Sequence, residues 1–337
     1  MKILTFVIPA YNSEKFLDKC VTSMLHPEVQ NELEILIVND GSMDRTKEIA
    51  EGYCRRYPDT VRLITQENKG HGGALNTGCA AATGKYLKVI DADDWVNTDQ
   101  LPTFVQALSA CESDVVLTPH HTVNVSTGEV QCWQCDASRF GDTVTFTEIM
   151  QDWHAFEHSL TFHGITYRTA FYHKKAQPLP EHVFYEDHTF ATFPCCEAES
   201  ITVMDYLIYE YRIGDCNQSV ARENQLRRHT DMEVVLKDME LRYREMAAAP
   251  NREYVARKLE VVLLSYFVTT LLADRNRKEG RALAATQFQQ CAERTPEVAA
   301  SIKRKYEIFC LMNRLHQTDA TWDRILHSAL YQHLMRK

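Results

Sequence analysis

Four short apolar runs, each stopped by polar residues and followed by a helix-like stretch, constrain the fold of this chain more than any other feature. They are residues 3–8, which lead into Pro9-Ala10-Tyr11-Asn12; residues 34–38, into Asn39-Asp40-Gly41-Ser42; residues 61–65, into Asn68-Lys69-Gly70-His71-Gly72-Gly73; and residues 86–90, into Asp91-Ala92-Asp93-Asp94. Alternation of this kind builds βαβ units and a mainly parallel sheet. In an open α/β sheet, ligands bind in the crevice outside the carboxyl ends of the strands. Three of these strand ends therefore point polar groups at one crevice. Carboxylates delivered there by Asp91 and Asp93 are hard oxygen ligands, suited to Mg²⁺ or Mn²⁺ carrying a phosphate.

The same reading sets boundaries along the chain. Ser13 is expected to cap a helix to about residue 25, with Glu14 in its first turn, and Ser42 or Asp44 opens a second helix toward Tyr57. Residues 68–73 read as a glycine-bearing loop before a helix over 74–82, which Thr83-Gly84 stops. A helix over 98–111, a strand over 114–117, a hairpin within 120–139, strand-like runs at 162–172 and 201–211, and a helix over 185–193 follow. Beyond about residue 220 the pattern changes: glycine is nearly absent, and apolar residues recur at helical spacing, as in Leu236, Met239, Leu241 and Met246. The expectation is an α/β domain over residues 1–220 and an all-helical appendage over 221–337.

The formal net charge of −9 argues against bare nucleic acid or an anionic membrane as the main partner, since both demand a basic surface. Eleven scattered cysteines, and an apolar start too short for a signal peptide, indicate free thiols in a reducing, cytoplasmic compartment. The longest apolar stretch, residues 261–273, is interrupted by Ser265, Thr269 and Thr270 and falls short of the roughly 18 residues of a membrane span. It reads as a buried helix. Cys132 and Cys135 lack the second ligand pair of a structural zinc site.

Taken in order, Val7-Ile8-Pro9-Ala10-Tyr11-Asn12, Val38-Asn39-Asp40-Gly41-Ser42, Asn68-Lys69-Gly70 through Ala74-Leu75-Asn76-Thr77-Gly78, Asp91-Ala92-Asp93-Asp94 and Glu186-Asp187 resemble family 2 glycosyltransferases. The resemblance runs over residues 3–215. It implies a GT-A fold, a Rossmann-like nucleotide-diphospho-sugar transferase domain, and a non-processive, inverting transfer from a UDP-sugar. By resemblance Asp93 coordinates the divalent metal, Mn²⁺ or Mg²⁺, and Asp91 contacts the ribose or stands behind it. Asp94 is expected to cap the next helix. A Lewis acid at this point stabilises the charge that develops on a departing diphosphate.

The family also implies that Asp40 accepts the N3–H of uracil, although Asn39-Asp40-Gly41 is equally the composition of an Asx-turn. Pro9, Ala10 and Tyr11 would form the opposite wall, Tyr11 with a stacking face. Glu14 is either a first-turn helix charge or a ribose contact. Asn68 and the glycines, Gly72 among them, are read as letting backbone approach ribose and sugar; Lys69 neutralises phosphate or is merely solvated. By resemblance Asp187 is the base that deprotonates the acceptor hydroxyl, and Glu186 supports acceptor binding. Helix-start charge is the alternative for that pair. Arg212 is a candidate diphosphate contact. Gln225-Leu226-Arg227-Arg228-His229 partly matches a processive-synthase motif, with His229 where tryptophan is expected.

A nucleotidyltransferase is a rival, but it requires a glycine-rich, arginine-containing phosphate loop where this chain has Pro9-Ala10-Tyr11-Asn12. A catalytically degenerate scaffold or binding subunit of a glycan-assembly complex is the other. The expected acceptor is a glycan, glycolipid or lipid-linked molecule of a bacterial surface. The helical appendage is a candidate for dimerisation, for covering the acceptor groove, or for peripheral contact with the inner face of a membrane.

Overall fold

A computed structural model describes residues 2–215, 222–246, 251–273 and 276–326. The chain divides into two compact units, Met1–Cys216 and Asn217–Lys337. The boundary expected near residue 220 lies outside the described residues.

The first unit is built on an eight-stranded sheet. Its elements in chain order are β1 (Leu4–Ala10), α1 (Leu17–Ser23), β2 (Leu33–Asp40), α2 (Thr46–Arg56), β3 (Val61–Gln66), α3 (Gly70–Ala81), β4 (Tyr86–Val89), β5 (Trp95–Val96), α4 (Leu101–Ala110), β6 (Val115–Leu117), β7 (His120–Asn124), β8 (Val130–Trp133), β9 (Thr143–Val144), α5 (Phe146–Gln151), α6 (Trp153–Phe156), β10 (Ile165–Arg168), α7 (Thr169–Lys175), α8 (Asp187–Thr192), β11 (Ile201–Val203) and β12 (Tyr209–Ile213). The sheet order is β3-β2-β1-β4-β10-β6-β11-β9, and a second sheet runs β5-β12-β7-β8. Pairing across β3, β2, β1 and β4 is parallel, and β10 is antiparallel to both its neighbours. Every residue of β1, β2 and β4 is buried, as expected of parallel strands covered on both faces. Phe6, Ile8, Ile35 and Ile37 anchor that core, each contributing on the order of 1.5–3 kcal/mol through burial.

Several boundaries differ from those expected. α1 starts at Leu17, not Ser13; the Ser13 hydroxyl donates to Tyr11 O, and only its carbonyl receives the Phe16 and Leu17 amides. Gly70 to Gly73 belong to the first turn of α3 instead of a loop. The strand-like run 162–172 is β10 followed by helix α7, and 201–211 splits into β11 and β12 in different sheets.

The second unit is helical throughout its described residues: α9 (Arg222–Arg227), α10 (His229–Glu245), α11 (Asn251–Phe267) with a π-helical continuation Val268–Ala273, α12 (Arg277–Arg294), α13 (Pro296–Arg314) and α14 (Asp319–Leu326). Met232, Val235, Leu236, Met239 and Tyr243 form the buried stripe of α10, so Leu241 faces out instead of joining it. Much of the apolar stretch 261–273 is buried as expected, from Val262 and Leu263 to Leu271 and Leu272, with Val261 on the exposed side. Among the described residues no helix is long and apolar enough to cross a membrane.

Candidate active site

The parallel ladder fixes the floor of the crevice. Pairing of Ala10 with Asn39, and of Asp40 with Gln66, brings the ends of β1, β2 and β3 level. Asp40 is 2% exposed, and its Oδ1 accepts from Gln66 Nε2 at 2.7 Å and from the Lys69 amide at 2.9 Å. Its carbonyl accepts from Asn68 Nδ2 at 3.0 Å. The Asx contact belongs to Asn39, whose Oδ1 receives the Ser42 amide at 3.2 Å. Asp40 Oδ2 therefore stays uncommitted among the described residues. Pro9 and Ala10 are buried in β1, whereas Tyr11 is 52% exposed just past its end. Glu14 is not in a helix: its Oε2 accepts from the Arg45 amide at 3.1 Å, ahead of α2. Asp44 opens α2, receiving the Thr46 amide at 2.9 Å.

β4 delivers the four-residue acidic motif. Asp91 and Asp93 keep side chains that are 28% and 35% exposed. Asp94 is buried and does not cap a helix; it accepts from the Tyr209 hydroxyl at 2.6 Å and from the Arg212 amide at 2.7 Å. Burial, then the neighbouring Asp93 and Asp91, pushes the Asp94 carboxyl well above its ordinary range. The two exposed aspartates suit a hard divalent cation, which takes one or two carboxylates and completes its shell with water and substrate phosphate oxygens. Among the described residues no third ligand from His, Cys, Asp or Glu closes a cage around them. Arg212 stands beside this pair, Nη1 at 3.8 Å from Asp93 and Nη2 at 2.8 Å from Asp215.

The far side of the crevice is a segment without regular structure, residues 176–186, that runs over the start of α3 into α8. Asn76 grips it by both main-chain groups of Leu179, receiving the amide at 2.9 Å and donating to the carbonyl at 3.0 Å. The His182 amide donates to Lys69 O at 2.8 Å, and Lys69 Nζ lies 3.8 Å from Glu181. The glycines make room for this segment: a Cβ on Gly72 would lie 2.2 Å from Pro180 O, and one on Gly70, at φ +75°, 2.8 Å from His182 Cα. Glu186 is 1% exposed, which removes it from any acceptor surface. Its Oε1 meets His71 Nδ1 at 2.5 Å, while His71 Nε2 meets Asp91 Oδ1 at 2.8 Å. Burial opposes the imidazolium, yet the Asp91 and Glu186 carboxylates outweigh it and hold His71 well above its ordinary pKa. Asp187 is the first residue of α8 and half-buried. Tyr211 stacks on His163 at 4.2 Å and feels Asp94, Asp91, Asp187 and Asp93 together; burial first, then these four charges, raise its phenol.

The family model described as glycosyl transferase family 2 matches residues 5–177, just over half of the chain and including the ends of β1, β2, β3 and β4. The chain belongs to glycosyl transferase family 2. One family relative is EpsJ of Bacillus subtilis (strain 168), an uncharacterized glycosyltransferase, 29% identical over 211 residues that cover 62% of this chain and 61% of EpsJ. The chain thus spans about three fifths of that relative's length. Among solved structures, S. aureus TarS residues 1–349 in complex with UDP-GlcNAc aligns with a TM-score of 0.64 at 20% identity, over 94% of this chain and 93% of that one. The mannosyltransferase PcManGT of Pyrobaculum calidifontis, in complex with GDP-Man and Mn²⁺, aligns at 0.50 with 18% identity, over 92% and 84%. These likenesses establish the GT-A fold.

Within that fold, three residues that lie inside or beside the motifs escape a reading of the motifs alone. His71 joins the acidic motif to Glu186 across 115 positions, Asn76 reaches Leu179 across 103, and Tyr209 spans 115 to Asp94. Their only local signal is polarity at otherwise small or apolar positions.

Proposed function

We propose that this protein is an inverting, non-processive glycosyltransferase that moves a sugar from a UDP-sugar to an acceptor hydroxyl in one in-line displacement. The observation that carries the reading is the His71 bridge between Asp91 and Glu186, because Glu186 is the chain neighbour of Asp187. A donor-side carboxylate and a candidate base thus flank one crevice. In this reading Asp40, through its uncommitted Oδ2, accepts the N3–H of uracil, with Tyr11 as a stacking face. Arg212 adds positive charge beside Asp93. Asp91 and Asp93 would hold Mn²⁺ or Mg²⁺, which supplies Lewis-acid stabilisation of diphosphate charge when bound. Asp187 takes the acceptor proton from the face opposite the leaving group, and positioning supplies most of the acceleration.

The UDP donor draws support from TarS, a neighbour of the same fold solved with UDP-GlcNAc. A glycan, glycolipid or lipid-linked acceptor of a bacterial surface is the acceptor class we assign. Calorimetric titration of UDP, with and without Mn²⁺, into wild type and Asp93→Ala tests the donor half. Binding that requires both metal and Asp93 is expected; no binding under any condition would overturn the reading.

A further inference from the structure

Glu186 is an unusual carboxylate. Its counterpart at the opposite end of the sheet, Glu34, is also buried but fully engaged, accepting from Thr5 Oγ1 at 2.6 Å, from the Thr83 amide at 2.8 Å, from Thr83 Oγ1 at 2.9 Å and from Arg62. Glu34 is explained by structure alone. Among the described residues Glu186 has a single side-chain partner, His71, and its buried Oε2 has none. A buried carboxylate so sparsely held is retained only where its one partner matters. That partner spends its other ring nitrogen on Asp91, 20 positions away on the donor side.

We infer that His71 is a positioning residue that clasps the base-bearing segment to the donor motif, holding Asp187 in register with Asp91. Three observations converge on it. The segment over residues 176–186 has no ladder of its own, so scattered bonds to α3 and the residue before it hold it. Asn76 holds its start at Leu179, the Lys69 carbonyl its middle at His182, and His71 its last residue, Glu186, next to Asp187. Gly70 and Gly72 bring α3 so close that a Cβ would collide with His182 and with Pro180, so the histidine between them faces the segment at short range. Phe162 backs the imidazole at 6.2 Å and is in turn edge-on to Phe190 of α8, which restricts both partners. His71 touches neither proposed reacting atom; it acts through Glu186 and Asp91.

The inference rests on Asp187 being the base, and its test is chosen to fail separately. Amide hydrogen exchange is measured on the full chain for wild type, His71→Ala and His71→Gln, alongside UDP affinity with Mn²⁺ and UDP-sugar turnover. In His71→Ala, exchange over residues 179–190 should rise by about tenfold, with β1 to β4 unchanged. Turnover should fall by about tenfold or more while UDP affinity stays within about threefold. His71→Gln, which can still donate to one carboxylate, should recover part of both losses. Unchanged exchange over 179–190, or loosening spread evenly through the α/β unit, overturns the clasp even where UDP binds normally. Local loosening in a chain whose wild type binds no UDP would leave the clasp standing and sink the UDP-donor reading instead. If His71→Ala does not fold, Glu186→Gln keeps the shape and removes the charge; severalfold faster exchange in the same peptides is expected, and no change overturns the proposal.

Discussion

The two walls of the crevice are held by different means. On the proposed donor wall, Ala10, Asp40 and Asp91 sit at or just past the ends of three parallel strands whose register is a continuous main-chain ladder. On the proposed base wall, Asp187 follows a segment held by a few separate bonds: Asn76 on Leu179, the Lys69 carbonyl on the His182 amide, His71 on Glu186. A ladder distributes its load over many bonds, so one substitution barely moves it. A clasp concentrates the load, so one substitution releases it. The difference predicts that damage to the base wall lowers turnover with little effect on nucleotide affinity, and that damage to the donor wall lowers affinity first.

Asp187→Asn is expected to have the largest effect. Removing the proposed base should cost about 10²–10⁴ in turnover, with UDP affinity unchanged in a parallel calorimetric titration. A loss of affinity equal to the loss of rate would place Asp187 on the donor side and erase the contrast. Next is Asp40→Ala, which strips Gln66 Nε2 and the Lys69 amide of their shared acceptor. Unfolding in denaturant should show a loss of about 1–3 kcal/mol, and UDP should bind at least about tenfold more weakly. Weakened UDP binding with unchanged turnover at saturation would assign Asp40 to donor affinity alone.

The same contrast explains how much the sequence disclosed. A ladder is written in consecutive residues: apolar runs such as residues 34–38 announce a buried parallel strand, and the polar residue after each run is placed without knowing any other part of the chain. The strand ends that carry Ala10, Asp40 and Asp91 are therefore legible in the sequence. Glu186 was misplaced on the acceptor surface because its burial depends on His71, 115 positions earlier. Asp94 was misread as a cap because Tyr209 and the Arg212 amide reach it from β12. The glycines of residues 70–73 signal close approach of some body, and only the fold adds residues 180–182 as neighbours, because they lie about 110 positions further on. Asn76→Ala tests this reading at intermediate scale. It removes both bonds to Leu179 and should destabilise the chain by about 1–2 kcal/mol, with severalfold lower turnover and unaltered UDP affinity.

The smallest effect concerns the seam between the walls. Lys88 lies fully buried on β4, the last strand of the donor ladder, and its Nζ donates to His163 O at 2.7 Å and Ile165 O at 3.2 Å, where the antiparallel β10 begins. No described acidic side chain pairs with it, and burial pulls its pKa down to about 7. Below that pH, folded and unfolded chains both carry the charge, and the folded state bears the full cost of burying it. Above it the folded amine is neutral, while the unfolded one stays protonated to about pH 10.4, so the unfolded chain binds more protons and stability rises with pH. Lys88→Met removes this dependence along with two hydrogen bonds. The stability of wild type relative to Lys88→Met should therefore climb between about pH 7 and pH 10, by at most ~1.4 kcal/mol per unit, in denaturant titrations across that range. A flat difference would mean that Lys88 keeps its ordinary ionisation. The seam would then be held by an ammonium donating to the same two carbonyls across the whole range, and Lys88 would add no pH dependence to stability between about pH 7 and pH 10.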